Sequence, residues 1–240
     1  MTSELGRAER ALHHRAGLAC AAAREAGVPG RFRVWEEAGL LAVLATDPAL
    51  SFLSTVSGIS PENAAAATEL VRAENLTAVA SAELELTGLT RVGDRVLAVR
   101  RLEEQPPEAC VAEAGDEFLD VLLAGYQVDG VVAAYIAAEH SIPALRRFLV
   151  VEDGKPIAAA GMTLHDEVAV LGGASTLLEH RGRGAQPCLL RHRLAVAAAE
   201  GCAWAVATAR PGSVSAANLA AAGFTLHRRS AWRPGTAARG

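Results

Sequence analysis

Arg181-Gly182-Arg183-Gly184-Ala185-Gln186 is the stretch that decides the fold of this chain, because of what lies on either side of it. The apolar run from Val168 to Ala174 predicts a strand before it, and the segment from Pro187 to Gly201 predicts a helix after it. A glycine-rich turn between strand and helix points backbone N–H groups and the positive end of the helix dipole at one place, which suits a phosphate. The two arginines would add charge-assisted contacts to the same anion.

Taken alone, the hexapeptide has a second interpretation, a solvated basic loop between two elements. It does not match two better-known phosphate-binding patterns. The dinucleotide fingerprint needs three glycines at other spacings and a later acidic residue, and the Walker loop ends in Gly-Lys-Ser/Thr. The sequence around the hexapeptide therefore has to decide between the two interpretations.

That surrounding sequence follows a longer pattern. Arg181 and Gly184 match Arg/Gln-x-x-Gly-x-Gly/Ala, Ala203 to Ala209 predicts the next strand, and Gly223-Phe224 closes the segment. From Arg147 to Trp232 the chain thereby resembles the GNAT superfamily, the acyl-CoA-dependent N-acyltransferases. The resemblance covers the last third of the chain well and the middle more loosely.

The resemblance implies an α/β (α+β) fold with a mixed, mostly antiparallel sheet flanked by helices, and a loop whose amides hold the pyrophosphate of coenzyme A. Gln186 departs from the usual Gly or Ala, but it keeps its backbone N–H. A branch of the family with Arg-Gly-x-Gly-x-Gln and a later Ser-x-x-Asn is most similar, and Ser215 and Asn218 fit it. The coenzyme-binding residues that the resemblance implies are Ser175, Thr176, Arg181, Gly182, Arg183, Gly184, Ala185, Gln186 and Asn218.

Composition narrows the class of protein. The chain has 240 residues, enough for one large domain or two small ones, and 51% of them are hydrophobic. Its formal net charge of −4 argues against a general nucleic-acid or membrane-surface binder. Met1 to Arg7 lacks a signal-peptide pattern and no apolar stretch is long enough to span a bilayer, so we expect a cytoplasmic protein.

The four cysteines, Cys20, Cys110, Cys188 and Cys202, show no CxxC pairing. They predict reduced and mostly buried thiols, as in a cytosolic protein. We interpret Cys188, just past the start of the predicted phosphate helix, as a packing residue. No cluster of His, Cys, Asp and Glu has the spacing of metal ligands, so the sequence predicts no metal.

The first part of the chain repeats the order of elements seen in the second. Helix Ser3 to Ala26 and two strands within Arg33 to Ala45 come first, and they are followed by a predicted strand at Phe52 to Val56. Ser60-Pro61-Glu62 then predicts the capped start of a helix that runs to Ala73, and Leu76 to Ala80 predicts a further strand. Asp94 to Leu102 predicts the last strand of this part. Ser57 to Pro61 occupies the phosphate-loop position and contains no arginine.

These orders predict two GNAT-like lobes in tandem, a degenerate one at 1–105 and a coenzyme-binding one at 106–240. The alternative is that any α/β chain shows similar orders. Gln105 to Glu108 is the predicted linker, and Glu113 to Gly125 and Val131 to His140 predict two helices that would wall the acceptor site. We expect the degenerate lobe to shape the acceptor cleft rather than to bind coenzyme.

The usual catalytic groups of the family are missing. Val170, Gly172 and Gly173 stand where a carboxylate base is common, and Leu219 stands where a tyrosine usually protonates the leaving thiolate. Ser215 is the nearest hydroxyl, although capping the helix Ser215 to Ala222 is the simpler role for it. Glu179 beside the loop is the second catalytic candidate, although a solvated position suits it better. Tyr126 and Tyr135 are interpreted as packing residues or residues that border the cleft.

Three functions remain open. The first is an N-acyltransferase that transfers an acetyl or other short acyl group from acyl-CoA to an amine, with acetyl-CoA as the simplest donor. The second is a non-catalytic acyl-CoA-binding or sensing module, and the third is another thioester reaction on the same fold. The sequence leaves the amine acceptor open among small metabolites, antibiotics, peptide N-termini and lysines, and it leaves the oligomeric state open too.

Overall fold

A computed structural model describes residues 3–235 of the chain. In this range eleven strands form one continuous sheet. The strands are β1 (Phe32–Glu37), β2 (Leu40–Ala45), β3 (Thr55–Ser57), β4 (Thr77–Ser81), β5 (Leu89–Arg101), β6 (Val111–Glu113), β7 (Arg146–Glu152), β8 (Lys155–His165), β9 (Val168–Thr176), β10 (Trp204–Ala209) and β11 (Thr225–Pro234).

The sheet order is β1-β2-β3-β4-β11-β5-β10-β9-β8-β7-β6. The pairs β3–β4 and β9–β10 are parallel, and the other neighbouring pairs are antiparallel. The predicted mixed, mostly antiparallel sheet is thereby confirmed. We call β1 to β5 the strands of the first half and β7 to β11 those of the second. In each half the first three strands pair antiparallel in sequence order, and the third and fourth strands form the parallel pair.

The two halves exchange their last strands. β5 lies beside β10 of the second half, and β11 lies beside β4 of the first half. β5 and β11 also pair with each other over a long antiparallel register, from Thr225 opposite Val99 to Pro234 opposite Leu89. The halves therefore share the centre of one sheet, and the predicted boundary at residue 105 stays a prediction.

Six α-helices flank the sheet in the described range: α1 (Glu4–Glu25), α2 (Ala64–Glu74), α3 (Phe118–Tyr126), α4 (Gly130–Glu139), α5 (Ala185–Ala199) and α6 (Val214–Ala221). α1 starts where predicted, because the Ser3 side chain accepts a hydrogen bond from the Gly6 backbone N–H. None of these helices has the length and apolar character that crossing a membrane requires.

Strand β5 shows how the layers form. Val96 and Ala98 pack into the core beneath α5, whereas Leu97 and Val99 pack with α1 on the opposite face. This follows from the two-residue period of a strand, whose successive side chains point to opposite faces. β5 is apolar on both faces here because it is covered on both.

Three predicted elements differ from the structure. Residues Pro48–Leu53 form a 3₁₀ helix, started by Asp47 accepting from the Ala49 N–H, so β3 begins only at Thr55. Helix α2 begins at Ala64 rather than near Ser60, whose backbone N–H donates to the side chain of Asn63. The predicted helix from Glu113 starts at Phe118 instead, because the chain before it extends as edge strand β6 against β7.

The prediction of four reduced thiols is wrong for two of them. Cys110 and Cys188 form a disulfide, while Cys20 and Cys202 are free and buried. β6 runs along the sheet edge next to α5, and this brings together two cysteines 78 residues apart in sequence. Cys188 is thus a crosslink as well as a packing residue, and the cytoplasmic location stays an expectation from the sequence.

A third polar group lies beside this disulfide. An oxygen of the Glu108 carboxylate lies within 4.8 Å of both sulfur atoms, which is close enough for a shared metal ion. Because the two sulfurs are bonded to each other, they offer no thiolate to a metal. The Glu108 carboxylate instead accepts from Arg191, which holds the pKa of Glu108 below its usual value.

Leu97→Ala is expected to lower the free energy of unfolding by about 2–5 kcal/mol, because it leaves a cavity at a fully buried position in the shared centre of the sheet. Val92→Ala is the matched control, since Val92 lies on the same strand but is 53% exposed, and we expect a change of less than about 0.5 kcal/mol. Urea denaturation of both variants measures the difference. Equal effects would mean that β5 is not central to the core.

Candidate functional site

A cleft opens where β9 and β10 separate. Their parallel register ends at Val170 opposite Val206, although β9 continues to Thr176 and β10 to Ala209. The diverging ends, together with α6 and the loop before α5, line a cleft of about 980 Å³. Ligand sites of this size lie commonly at the carboxyl ends of strands in open sheets.

The loop predicted to bind phosphate forms one end of this cleft. Gly182 and Gly184 have φ of 76° and 86°, a left-handed conformation that favours glycine, and Gly184 is the residue that precedes α5. Within residues 3–235, the backbone N–H groups of residues 182–186 have no hydrogen-bond acceptor. Five consecutive free donors at a helix N-terminus are the kind of arrangement that proteins use to bind anions, and a pyrophosphate such as that of coenzyme A would fit it.

Two side chains of the loop hold it in this shape. Arg181 donates from Nε to the Thr176 carbonyl (3.2 Å) and from a terminal nitrogen to the Gly125 carbonyl (2.7 Å). Gln186 donates from Nε2 to the Ser175 carbonyl (2.8 Å) and to Thr176 Oγ1 (3.0 Å). The departure from the family pattern at Gln186 therefore has a structural role, since its amide ties the loop to the end of β9.

The structure brings most of the predicted site residues to the cleft and leaves two outside. The residues that line it are Ser175, Thr176, Arg181, Gly182, Gly184, Ala185, Gln186, Ser215 and Asn218. Arg183 and Glu179 are not among the lining residues; both are exposed, and Arg183 lies 3.6 Å from Glu152. The placement of Glu179 thus gives its predicted catalytic role no support.

The simpler interpretation of Ser215, as the cap of its helix, is wrong. α6 begins at Val214, and the capping side chain is Ser213, whose Oγ accepts from the Ala216 N–H at 3.1 Å. Ser215 therefore lies within the first turn of α6, at the wall of the cleft. Its hydroxyl is free of the role that made it an unpromising candidate.

A β-bulge explains why the usual base is missing. The register between β8 and β9 shifts at this point, where Gly161 pairs with Gly172 and Ala160 with Ala174, so Gly173 is the extra residue. A Cβ at Gly173 would lie 1.7 Å from the Nε2 atom of His140, and one at Gly172 would lie 3.0 Å from the Arg15 guanidinium carbon. A larger side chain at Gly173 would overlap His140, and one at Gly172 would require the Arg15 guanidinium to move.

The side chains beneath the bulge form a buried polar network. Arg15 on α1 bonds to Glu139 on α4 at 3.1 Å and to Thr163 Oγ1 at 3.3 Å. His165 lies 2.9 Å from the same Thr163 oxygen, and burial, with His14 and Arg15 nearby, lowers its pKa to about 4. This network connects α1 of the first half to α4 and β8 of the second.

Two further residues at the cleft were not predicted as functional. The backbone N–H of Ala174, next to the bulge, donates to the Tyr126 hydroxyl oxygen at 2.8 Å. Burial raises the pKa of Tyr126, so its hydroxyl keeps its proton at neutral pH. Arg193 on α5 is buried and donates to the Gly161 carbonyl at 3.0 Å, and burial lowers its pKa to about 10, which leaves it charged. The two residues stand 67 positions apart in sequence, and no local pattern connects them.

The first half contains a turn at the corresponding place, but it is closed. Asn63 Nδ2 donates to the carbonyls of Gly58 (3.1 Å) and Ala38 (3.3 Å), and the Gly58 N–H donates to Glu9. A donor already bonded within the protein is not available to a phosphate. The turn also contains no arginine, and the degenerate nature of this half stays a prediction.

The buried histidines predict how stability depends on pH. An unfolded chain binds a proton at His165 below about pH 6.5, whereas the folded chain does so only below about pH 4. Between these values the unfolded state holds the extra proton, so the free energy of unfolding falls as the pH falls, by at most about 1.4 kcal/mol per pH unit. Burial lowers the pKa of His140 as well, which acts in the same direction.

We therefore expect urea midpoints of the wild type to decrease from pH 7.5 to pH 4.5, and His165→Asn to show a shallower decrease. The comparison uses the slopes, since the variant also loses its contact with Thr163 at every pH. Parallel slopes for the two proteins would contradict the assignment of this proton to His165.

Comparison with solved structures supports the interpretation of the fold. The chain is similar to a GCN5-related N-acetyltransferase from Kribbella flavida, at 21% identity and a TM-score of 0.57 over 92% of this chain and 95% of that one. An acetyltransferase from the GNAT family from Colwellia psychrerythraea gives 19% identity and a TM-score of 0.56, over 85% of this chain and 84% of its own. A GCN5-related N-acetyltransferase from Sphaerobacter thermophilus gives 13% and 0.55, over 81% and 79%.

No protein-family profile and no curated protein sequence matches the chain. The structural matches to the Kribbella and Colwellia proteins extend over both halves of the sheet, so they cover more than the segment whose sequence carries the resemblance. The chain therefore has the fold of the GCN5-related N-acetyltransferases over most of its length, and the GNAT resemblance inferred from the loop at 181–186 is confirmed.

Proposed function

We propose that this protein is an N-acetyltransferase, which transfers an acetyl or other short acyl group from acyl-CoA to an amine. One observation carries the proposal: five free backbone N–H groups at residues 182–186 end a cleft between two diverging parallel strands. Such donors bind a pyrophosphate without a metal ion or a specific side chain. The nearby guanidinium of Arg193, buried and charged, adds to the attraction for an anionic ligand.

Acyl-coenzyme A would supply an activated thioester when bound, and the chain's own residues would bind and orient it. The amides of residues 182–186 would hold the pyrophosphate, and Asn218 also lines the cleft. The neutral amine attacks the thioester carbon, a C–N bond forms, and the C–S bond breaks with its electron pair on sulfur. The proton lost by the amine is balanced by one gained by the thiolate, which gives an amide and the free thiol.

The proton for the departing thiolate has two possible donors on the walls of the cleft. Ser215 lies in the first turn of α6, and Tyr126 lies against β9, where its hydroxyl accepts from Ala174; both line the cleft. Both hydroxyls are protonated at neutral pH. We assign the role to Ser215, because the Ser-x-x-Asn pattern and the lining of the cleft both point to it. The Tyr126 hydroxyl accepts from the Ala174 N–H but keeps its own proton to donate, so it is the alternative donor.

Gly184→Asp is expected to abolish coenzyme binding, because a carboxylate next to the free amides repels the pyrophosphate. Gly201→Asp is the matched control: Gly201 has almost the same φ (85° against 86°), has equally open space around it, and lies just past the other end of α5. The two variants should therefore carry similar backbone strain.

Isothermal titration with acetyl-CoA separates the outcomes. We expect one coenzyme per chain for the wild type and for Gly201→Asp, and no binding for a folded Gly184→Asp. Binding by Gly184→Asp with unchanged affinity would place the pyrophosphate elsewhere. Two coenzymes per chain would mean that the turn closed by Asn63 opens to a ligand.

Ser215→Ala is expected to lower turnover by roughly ten-fold or less, because water can replace a positioned hydroxyl at some cost. Ser213→Ala, two residues earlier, is expected to lower stability by about 1 kcal/mol through loss of the helix cap. Coenzyme release and thermal melting are measured on both variants. An unchanged rate in Ser215→Ala would remove its catalytic role, and tight coenzyme binding by a wild type that turns over no amine would favour the sensing module.

A further inference from the structure

A second cavity adjoins the β9–β10 cleft, and we call it the α1 cavity. It measures about 410 Å³ and lies between one face of α1 and the inner ends of the strands β2 to β5 and β11. Thr208, Ala209 and Arg210, at the end of β10, line both this cavity and the cleft. The α1 cavity and the cleft therefore meet at the end of β10.

The charges of the α1 cavity are unbalanced. Arg95 and Arg229 are directly opposite each other on β5 and β11, and Arg210 lies at the junction with the cleft. Glu9 is the one carboxylate among the described lining residues. Burial lowers the pKa of His13 at this wall, so it adds no charge at neutral pH. Three guanidinium groups thus share a single negative charge.

Arg95 and Arg229 also have too few acceptors and carboxylates around them. Arg229 donates to Glu9 Oε1 at 3.3 Å, but its buried Nε atom has no hydrogen-bond partner. Within residues 3–235, Arg95 has no carboxylate within 4.0 Å. Like charges directly opposite each other on adjacent strands are destabilising, and a buried donor without an acceptor costs further free energy. A bound anion would relieve both.

The rest of the cavity is mainly apolar. Leu12 and Ala16 on α1, Val43 on β2 and Leu53 before β3 are among the residues that line it. Their side chains would cover the apolar part of a ligand of moderate size. The volume of the cavity lies within the usual range for small-molecule sites, roughly 300–1,000 Å³. A polycationic acceptor, such as a polyamine, has the wrong charge for three arginines and too little apolar surface for these walls.

We infer that the α1 cavity binds the acceptor, and that the acceptor is a small primary amine carrying a carboxylate and an apolar body, of which an apolar α-amino acid is the simplest case. The carboxylate lies between Arg95 and Arg229, and the apolar body lies against α1 and β2. The amine is directed toward Thr208 to Arg210, where the cleft begins. This inference rests on the proposed acetyltransferase function, since it names the acceptor class of that same site.

The test compares amino acids with the amines that differ from them only by the carboxylate. Leucine and phenylalanine are paired with 3-methylbutylamine and phenethylamine, and spermidine represents a polycation. Binding is measured by calorimetry on protein saturated with coenzyme A, and turnover is measured as coenzyme release from acetyl-CoA. We expect the amino acids to bind at least ten-fold more tightly than their decarboxylated partners, and to be acetylated with at least ten-fold higher kcat/KM.

Arg95→Met is expected to remove most of this preference, with the larger part of the effect in KM. Arg101→Met is the control, because Arg101 lies on the same strand outside both cavities. Arg95→Lys should recover part of the preference, which a purely structural role for the arginine would not predict. Melting temperatures confirm that each variant is folded.

The outcomes separate this inference from the proposed function. Coenzyme binding without any preference for the carboxylate, or a preference for spermidine, overturns the acceptor assignment and leaves the acetyltransferase proposal standing. An Arg95→Met protein that keeps the full preference overturns it as well. Failure of the wild type to bind coenzyme A would instead refute the proposed function. Preferential binding of amino acids without turnover would support the acceptor class and count against catalysis.

Discussion

The pairing of β5 with β11 is the constraint on which the rest of the structure depends. It places the last strand of each half inside the other half, so β5 supports β10 and β11 supports β4. Because β5 and β11 meet at the centre, α1 of the first half packs against strands of the second. The cleft between β9 and β10 and the cavity under α1 are therefore neighbours at the middle of one sheet.

Much of the fold could be predicted because its signals are local. The loop at 181–186, the helix after it and the strands on both sides follow from glycine positions and apolar periodicity, and the structure has them within a few residues. Two errors involve short-range hydrogen bonds of Asp47 and Asn63, and the others arose where a distant contact overrode the local pattern. β6 forms because β7 offers an edge, and the crosslink between Cys110 and Cys188 depends on that same edge.

The site was predicted less completely, for the same reason. The phosphate loop is contiguous in sequence, so its residues could be named. The space beside Gly173 and Gly172, in contrast, is limited by His140 and Arg15, which lie far away in sequence. The sequence showed glycine where a carboxylate base is usual, and the structure adds that the His140 side chain fills the space beside Gly173. Tyr126 was expected to pack or to border the cleft, whereas Arg193 was not singled out, and each makes its hydrogen bond to a residue far along the chain.

The exchange of terminal strands also bears on how such a chain can arise and change. Two identical subunits that swapped their last strands would have this arrangement as a homodimer, with one gene encoding both copies of the loop. When the two copies are joined in a single chain, each can change its sequence independently of the other. One loop can then keep its glycines and free amides, while the other closes on Asn63 and its half becomes the wall of a pocket. Asymmetry in this protein is thus a property that covalent linkage permits and a symmetric pair could not acquire.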